Sequence, residues 1–250
     1  MRSIETLYSA KPDGYTFASG SEALFTRHIL GELDFDLFEI NFIARLGSSN
    51  KVLVTNKKSN LFTWDDILKA SKQAPVKIGI GGFGASNHVA AIMFVGTSQL
   101  AARIIIFEGT SQVNALLIRG DFPLAMHSFD SVRNLIEIKE FRPILTFSEA
   151  IKYPGVQNVK DIGFPELNEV LNSQRFVIAP PKLPKDIKKI LEDAVRKAVV
   201  DKEFLEFNKK AGISYYPVIG SEFDSLIINI MGFYKSKEKV LREYLVEQKS

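Results

Sequence analysis

The chain contains no cysteine, one tryptophan and three histidines. The first absence removes disulfides, thiolate zinc sites and cysteine nucleophiles together. It leaves the compartment open, because exported proteins also do without cysteine. His28, His88 and His127 fall in neither HxxxH nor HExxH spacing, so no histidine-based metal site is expected. No long apolar run is present either. The longest, Val89 to Phe107, is interrupted by Gln99 and Arg103 and does not read as a membrane span. Met1-Arg-Ser-Ile-Glu leads into polar sequence without the apolar core of a signal peptide. The reading is therefore either a cytoplasmic chain or one whose leader is not included. Charge of one sign is also lacking. The 32 Lys and Arg against 29 Asp and Glu leave a net charge of +3, spread along the chain, which excludes a nucleic-acid footprint.

What remains is an ordinary globular composition, 46% apolar and 24% charged over 250 residues, long enough for one large domain or two lobes. Short apolar runs alternate with amphipathic ones. The pattern predicts strands at Tyr15–Ala18, Ile40–Leu46, Lys51–Thr55, Val76–Ile80, Arg103–Phe107, Phe122–Met126, Arg142–Thr146, Arg175–Ala179 and Ile213–Pro217. It predicts helices at Glu22–Leu30, Trp64–Gln73, Asn87–Gln99, Ser111–Arg119, Phe129–Lys139, Pro184–Val200, Lys202–Ala211 and Glu222–Glu247. Thr63 ahead of Trp64-Asp65-Asp66 resembles a capping box. Ser128 is placed to cap the Phe129 helix, Pro184 suits a first turn, and Gly212 marks a helix stop. Strand–helix alternation implies an α/β fold with mostly parallel sheets. Val76–Ile80 and Arg103–Phe107 are apolar enough to be covered on both faces.

The richest local signal is Gly79-Ile80-Gly81-Gly82-Phe83-Gly84-Ala85-Ser86, which follows a strand and opens a helix. Glycines allow close backbone approach, and a helix N-terminus offers free amides and a partial positive charge to an anion. Four glycines in six positions exceed the need of a plain turn. Ser86 adds a hydroxyl or caps the helix. Read literally, Gly79–Gly84 is also G-x-G-x-x-G, with Glu108 ending the next strand where a dinucleotide fold places a ribose-binding acid. The turn thus suits either a carboxylate or an NAD(P) cofactor.

The rest of the chain resembles the solute-binding proteins of tripartite tricarboxylate transporters, the TctC or Bug family. Lys11-Pro12-Asp13-Gly14-Tyr15-Thr16-Phe17 is similar to the family's PDGYTL signature. Phe42–Leu46 with Lys51–Thr55, Trp64–Lys72, and Gly82–Val89 against G-x-G-S-x-x-H-L follow in order. Ala179-Pro180-Pro181-Lys182-Leu183-Pro184, a long helix, Asp201–Phe204 and Ala211-Gly212 complete the match. The resemblance implies a two-lobed type II periplasmic-binding fold, with residues 1–50 and 172–250 in one lobe and 51–171 in the other. It implies no enzyme chemistry and no cofactor. It implies capture of a small organic carboxylate between lobes that close on a hinge, for delivery to membrane transporter subunits from an extracytoplasmic position. Gly82, Gly84, Ala85 and Ser86 would donate to the carboxylate. Phe107, Gly109 and Thr110 would line the same cleft, and Gly20 and Ser21 would contribute from the other lobe. Ala85 stands where the family usually has Ser, Glu108 where it often has Lys, and Pro123 near a common acid, which implies an altered ligand preference. No FPAGG-type loop precedes Lys11, so the first lobe is expected to be incomplete, with exposed sheet edges. His88, His127 and Asp130 read as packing or capping residues. The Lys235–Lys249 helix reads as a solvated face.

Overall fold

The computed structural model describes residues 2–210 and 215–246, with side chains from Ile4 onward. The chain opens with α1 (Arg2–Tyr8), β1 (Ala18–Ser21), α2 (Ala23–Leu30) and β2 (Asn41–Ser49). Next come β3 (Lys51–Asn56), α3 (Trp64–Ser71), β4 (Val76–Gly81), α4 (Ser86–Ser98), β5 (Ala102–Phe107) and α5 (Thr110–Arg119). These are followed by β6 (Leu124–Ser128), α6 (Phe129–Glu137), β7 (Phe141–Thr146), β8 (Gln157–Asn158) and β9 (Ser173–Ala179). The last are α7 (Lys185–Ala198), α8 (Lys202–Lys210), β10 (Val218–Ile219), α9 (Ser221–Ser236) and α10 (Glu238–Leu245). Contacts divide the chain into two units: Met1–Ser48 with Gln174–Glu238, and Ser49–Ser173 with Lys239–Ser250.

The first unit holds a four-stranded sheet in the order β1-β9-β2-β10. β1 runs antiparallel to β9, and β10 antiparallel to β2. Its core is aromatic. The Phe25 ring lies 5.9 Å from Phe42, 5.7 Å from Phe176 and 5.5 Å from Tyr234, and Phe176 lies 5.8 Å from Phe223. α9 supplies Phe223, Ile227, Ile230, Met231 and Tyr234, a buried stripe at helical spacing. Ahead of the sheet, α1 buries Leu7, and Tyr8 stacks on Phe35.

The second unit is built on a six-stranded sheet, β5-β4-β6-β3-β7-β8. β4 runs parallel to both β5 and β6, and β7 parallel to β8. α4 covers one face with Val89 to Val95, all buried, and Phe94 meets Trp64 and Phe147. A cluster of Val52, Val54, Val113, Leu117, Phe122, Val132, Ile136 and Phe141 fills the other face beneath α5 and α6. β4 is an inner strand, next to the edge strand β5, and its apolar sequence reflects cover on both sides.

The α/β class agrees with the sequence, but four local expectations change. The sheets are mixed, not mostly parallel: β3 is antiparallel to β6 and β7. It enters directly from β2 across Asn50, so no helical crossover sets its direction. β5 is an edge strand and only half buried, with Ile106 exposed. The first predicted strand shifts to Ala18–Ser21, because Gly14 adopts φ +86° and Tyr15 N–H bonds back to Asp13 in an Asx turn. The last predicted helix breaks at Lys237, which neither Gly nor Pro marks; α10 buries Leu241 and Leu245, and the space beside Gly96 is taken by Val240 of the second unit. The Thr63 capping box forms as expected, reciprocally with Asp66. Gly212 and the start of the strand expected at 213–217 lie outside the described residues.

Candidate functional site

The carboxyl ends of β4 and β5 are held together by one glycine. A Cβ on Gly81 would stand 2.8 Å from the backbone of both Gly109 and Thr110. Only a residue without a side chain lets the turn after β4 lie against the start of α5. Gly82 and Gly84 then take φ +82° and +69°, left-handed values that L side chains avoid. The structure thereby gathers Gly82, Gly84, Ala85 and Ser86 with Phe107, Gly109 and Thr110. β4 sits between its crossover partners, the position where an open α/β sheet switches direction and leaves a crevice at strand carboxyl ends.

The turn's amides are not all available. Gly82 N–H donates to the Phe107 carbonyl at 2.8 Å. Ala85 N–H donates to the Gly82 carbonyl at 3.3 Å, and Gly84 N–H donates to Nδ1 of His88 at 3.0 Å. These residues shape the turn and do not present the donors expected of them. Burial holds the His88 imidazole down at about 4, so it stays neutral and keeps its acceptor nitrogen. The open donors lie one residue later. Among the described residues no acceptor meets the first-turn amides of Ser86, Asn87 and His88, as the geometry of a helix start requires. Thr110 begins α5 in the same way, with Gly109 as an uncapped N-cap. The Phe107 ring, partly buried, stacks on Phe122 at the margin of the core.

Ser86 is the first residue of α4, not its cap. Ala85 occupies the cap position without a side-chain bond, and Ser86 Oγ instead lies 2.6 Å from Ser173 Oγ. That serine leads to a residue the sequence pattern passed over. Lys51 is 0% exposed, yet its ammonium reaches this corner. Nζ donates to Asn87 Oδ1 at 2.8 Å, Ser173 Oγ at 2.8 Å and Ser128 Oγ at 3.2 Å. Ser128 therefore does not cap α6 as expected. Only the structure reveals the role of Lys51. The residue begins β3, in which all six residues are buried, so its charge has no route to solvent. Burial, helped by the Lys51 ammonium, holds His127 down at about 4. His127 is neither cap nor ligand: it is buried against Phe141, and neither ring nitrogen has a hydrogen-bond partner among the described residues. Asp130, in the first turn of α6, accepts from Ser49 Oγ at 3.2 Å.

Gly20 and Ser21 belong to the first unit. They line a hollow of about 220 Å³ with Ile4, Leu24, Arg27 and Phe35. Glu22, the N-cap residue of α2, is buried and does not line that hollow; its carboxylate accepts from Gln174 N–H at 2.7 Å. The dinucleotide pattern does not survive in this geometry. Gly79 lies inside β4, where a Cβ would strike the Phe122 ring at 2.3 Å, so it packs the sheet and does not make the tight turn a nucleotide loop needs. Glu108 is exposed. Among the described residues no cluster of three or more His, Cys, Asp or Glu could hold a metal ion. None of the described helices is long and apolar enough to cross a membrane.

A family model described as the tripartite tricarboxylate transporter family receptor matches residues 2–231. A curated relative, a UPF0065 protein of Bordetella pertussis, is 26% identical over 216 residues; the match takes in 84% of this chain. The chain spans 66% of that relative's length, less than two thirds. The fold is similar to a TctC solute-binding protein from Polaromonas, with TM-score 0.83 and 20% identity over 93% of this chain and 81% of that one. It is also similar to MatC from Rhodopseudomonas palustris with bound malate, with TM-score 0.62 and 14% identity over 96% of this chain and 83% of that one.

Proposed function

The chain belongs to the tripartite tricarboxylate transporter receptor family, and from that premise we propose that it binds a small organic carboxylate at the α4 corner and presents it to membrane transporter subunits. The observation that supports this most is the first turn of α4. It carries the open amides of Ser86, Asn87 and His88, and the Asn87 side chain accepts from a buried ammonium, that of Lys51. A helix N-terminus and a lysine both favour negative charge, and together they suit a carboxylate in a partly dry corner. Gly109 and Thr110 add a second helix start alongside. Gly82, Gly84 and Ala85 hold the shape. The malate in the Rhodopseudomonas structure belongs to the same chemical class.

The proposed role is capture, not conversion, in an extracytoplasmic compartment. No residue is assigned to catalysis. Gly20 and Ser21 are kept as a second candidate contact on the first unit. The chain crosses from one unit to the other near Ser49 and Ser173, where a hinge is part of the proposed role.

Thermal shift and calorimetry with mono-, di- and tricarboxylates test the reading. At a hundredfold excess over Kd, a true ligand should raise the melting temperature by about 5 °C or more. Silence from every organic acid, or a response to NADH instead, would remove it.

A further inference from the structure

We propose that Lys51 sets the polarity of this corner, so that it presents hydrogens and not lone pairs to the ligand and thereby selects ionised oxyanions over neutral isosteres. The inference rests on the carboxylate reading above and assigns its specificity to a residue that need not touch the ligand.

An ammonium carries three N–H donors and no lone pair. Each of the three oxygens around Lys51 Nζ must therefore accept. At Asn87 this turns Oδ1 inward, at 2.8 Å, and sends both amide hydrogens away from the lysine. At Ser173 one of the two lone pairs is engaged by Nζ at 2.8 Å, and we assign the hydroxyl hydrogen to its other neighbour, Ser86 Oγ, at 2.6 Å. Ser86 then accepts, and its own hydrogen points away from Ser173. The result is a relay from Nζ–H through the Ser173 hydroxyl to the Ser86 hydroxyl, each bond polarising the next. Ser86 and Asn87 are the first two residues of α4, whose amides are also donors. Every hydrogen-bonding group at the helix start thus offers a hydrogen. A carboxylate, which only accepts, satisfies all of them. A carboxamide NH₂ or an ammonium sets a donor against a donor and leaves both unbonded.

Calorimetry of the full chain with L-malate, succinate and citrate, and with succinamide as the neutral isostere, tests the proposal. Wild type should bind at least one acid and prefer succinate to succinamide by about 100-fold or more. Lys51→Met keeps the length of the side chain and loses all three N–H groups. It should weaken acid binding roughly 10- to 100-fold and bring succinate and succinamide within a few-fold of each other. Ser173→Ala keeps the lysine and its charge but removes one of its acceptors together with the relay to Ser86; it should weaken the acid by about 10-fold with a matching loss of discrimination. Ser173→Ala decides the matter where Lys51→Met does not fold. Lys57→Met removes the same charge beyond the far end of β3, where Lys57 pairs with Glu140, and should change nothing. Wild-type affinity and discrimination in folded Lys51→Met and Ser173→Ala would overturn the assignment and leave the carboxylate reading standing. Failure of wild type to bind any of the three acids would instead overturn that reading, and this inference with it.

Discussion

Two strand-to-helix corners carry the same kind of small residues and opposite resident charges. In the first unit, Gly20 and Ser21 lead into α2, and the buried carboxylate of Glu22 sits at its N-terminus. In the second, Gly82 to Ser86 lead into α4, and the buried ammonium of Lys51 lies at its base. A helix N-terminus favours an anion. Glu22 brings a carboxylate to the start of α2, although it makes no cap bond there and accepts from Gln174 N–H, whereas Lys51 brings an ammonium to the start of α4. The contrast shows what distinguishes an anion site from a plain corner. Glycine shows where the backbone comes close, but the resident charge shows what the corner has room for.

The largest expected effect breaks the comparison sterically. Gly81→Ala puts a methyl group 2.8 Å from the backbone of Gly109 and Thr110, which cannot rotate away as a side chain can. It should cost about 3 kcal/mol. Gly20→Ala meets only the methyl ends of Ile178 and Leu24 at 3.2 Å and should cost under ~1 kcal/mol. Urea unfolding reads the Gly81 effect cleanly, because the single tryptophan, Trp64, is buried in the second unit. Equal costs at the two glycines would mean that the α4 corner is no tighter than the α2 corner.

Acid should separate the units next. His88 and His127 both belong to the second unit, and burial holds both at about 4 instead of 6.5. Above pH 6.5 the folded and unfolded chains both carry neutral rings, and nothing is lost. Between 6.5 and 4 the unfolded chain takes up the protons first, so stability falls with pH, and below 4 the loss is complete. At pH 5 each ring should cost about 1–2 kcal/mol. His127→Phe should flatten that slope and raise stability at neutral pH by about 1 kcal/mol, since it buries no unbonded nitrogen against Phe141. A Trp64-monitored midpoint that is constant from pH 7 to 5 would contradict the buried, neutral rings.

Local chemistry was readable from the sequence wherever nearby residues decide the outcome. The capping box at Thr63, the β4 strand and the start of α4 to within one residue all depend on neighbours a few positions away. The direction of β3 did not show, because it depends on pairing with β6 and β7, far along the chain. Gly79 matched a nucleotide fingerprint in letters, but its true constraint is the Phe122 ring, 43 positions on. Lys51 was missed for the same reason. A lysine ahead of Val-Leu-Val reads as a solvated strand end until the strand is seen to be buried on both faces. The expected donors Gly82, Gly84 and Ala85 were assigned to the right turn but not to their partners. Those partners, Phe107 and His88, become visible only when β5 and α4 are in place.

The smallest effect tests the charge contrast directly. Glu22→Gln keeps an oxygen within reach of Gln174 N–H, so the hydrogen bond survives in neutral form. What disappears is the charge at the N-terminus of α2, which is felt as far as Tyr234, a phenol held above its ordinary range by burial and by Glu22. The loss should be about 0.5–1 kcal/mol, the usual worth of a carboxylate at a helix start, measured by urea unfolding of the first unit through its tyrosine signal. Carboxylate affinity at the α4 corner should not change, although the substitution makes the whole protein more positive. Were net charge the attraction, Glu22→Gln would tighten binding and Lys51→Met and Lys57→Met would weaken it alike. Were the resident charge of each corner the attraction, only Lys51→Met would matter, and Glu22→Gln would register in stability alone.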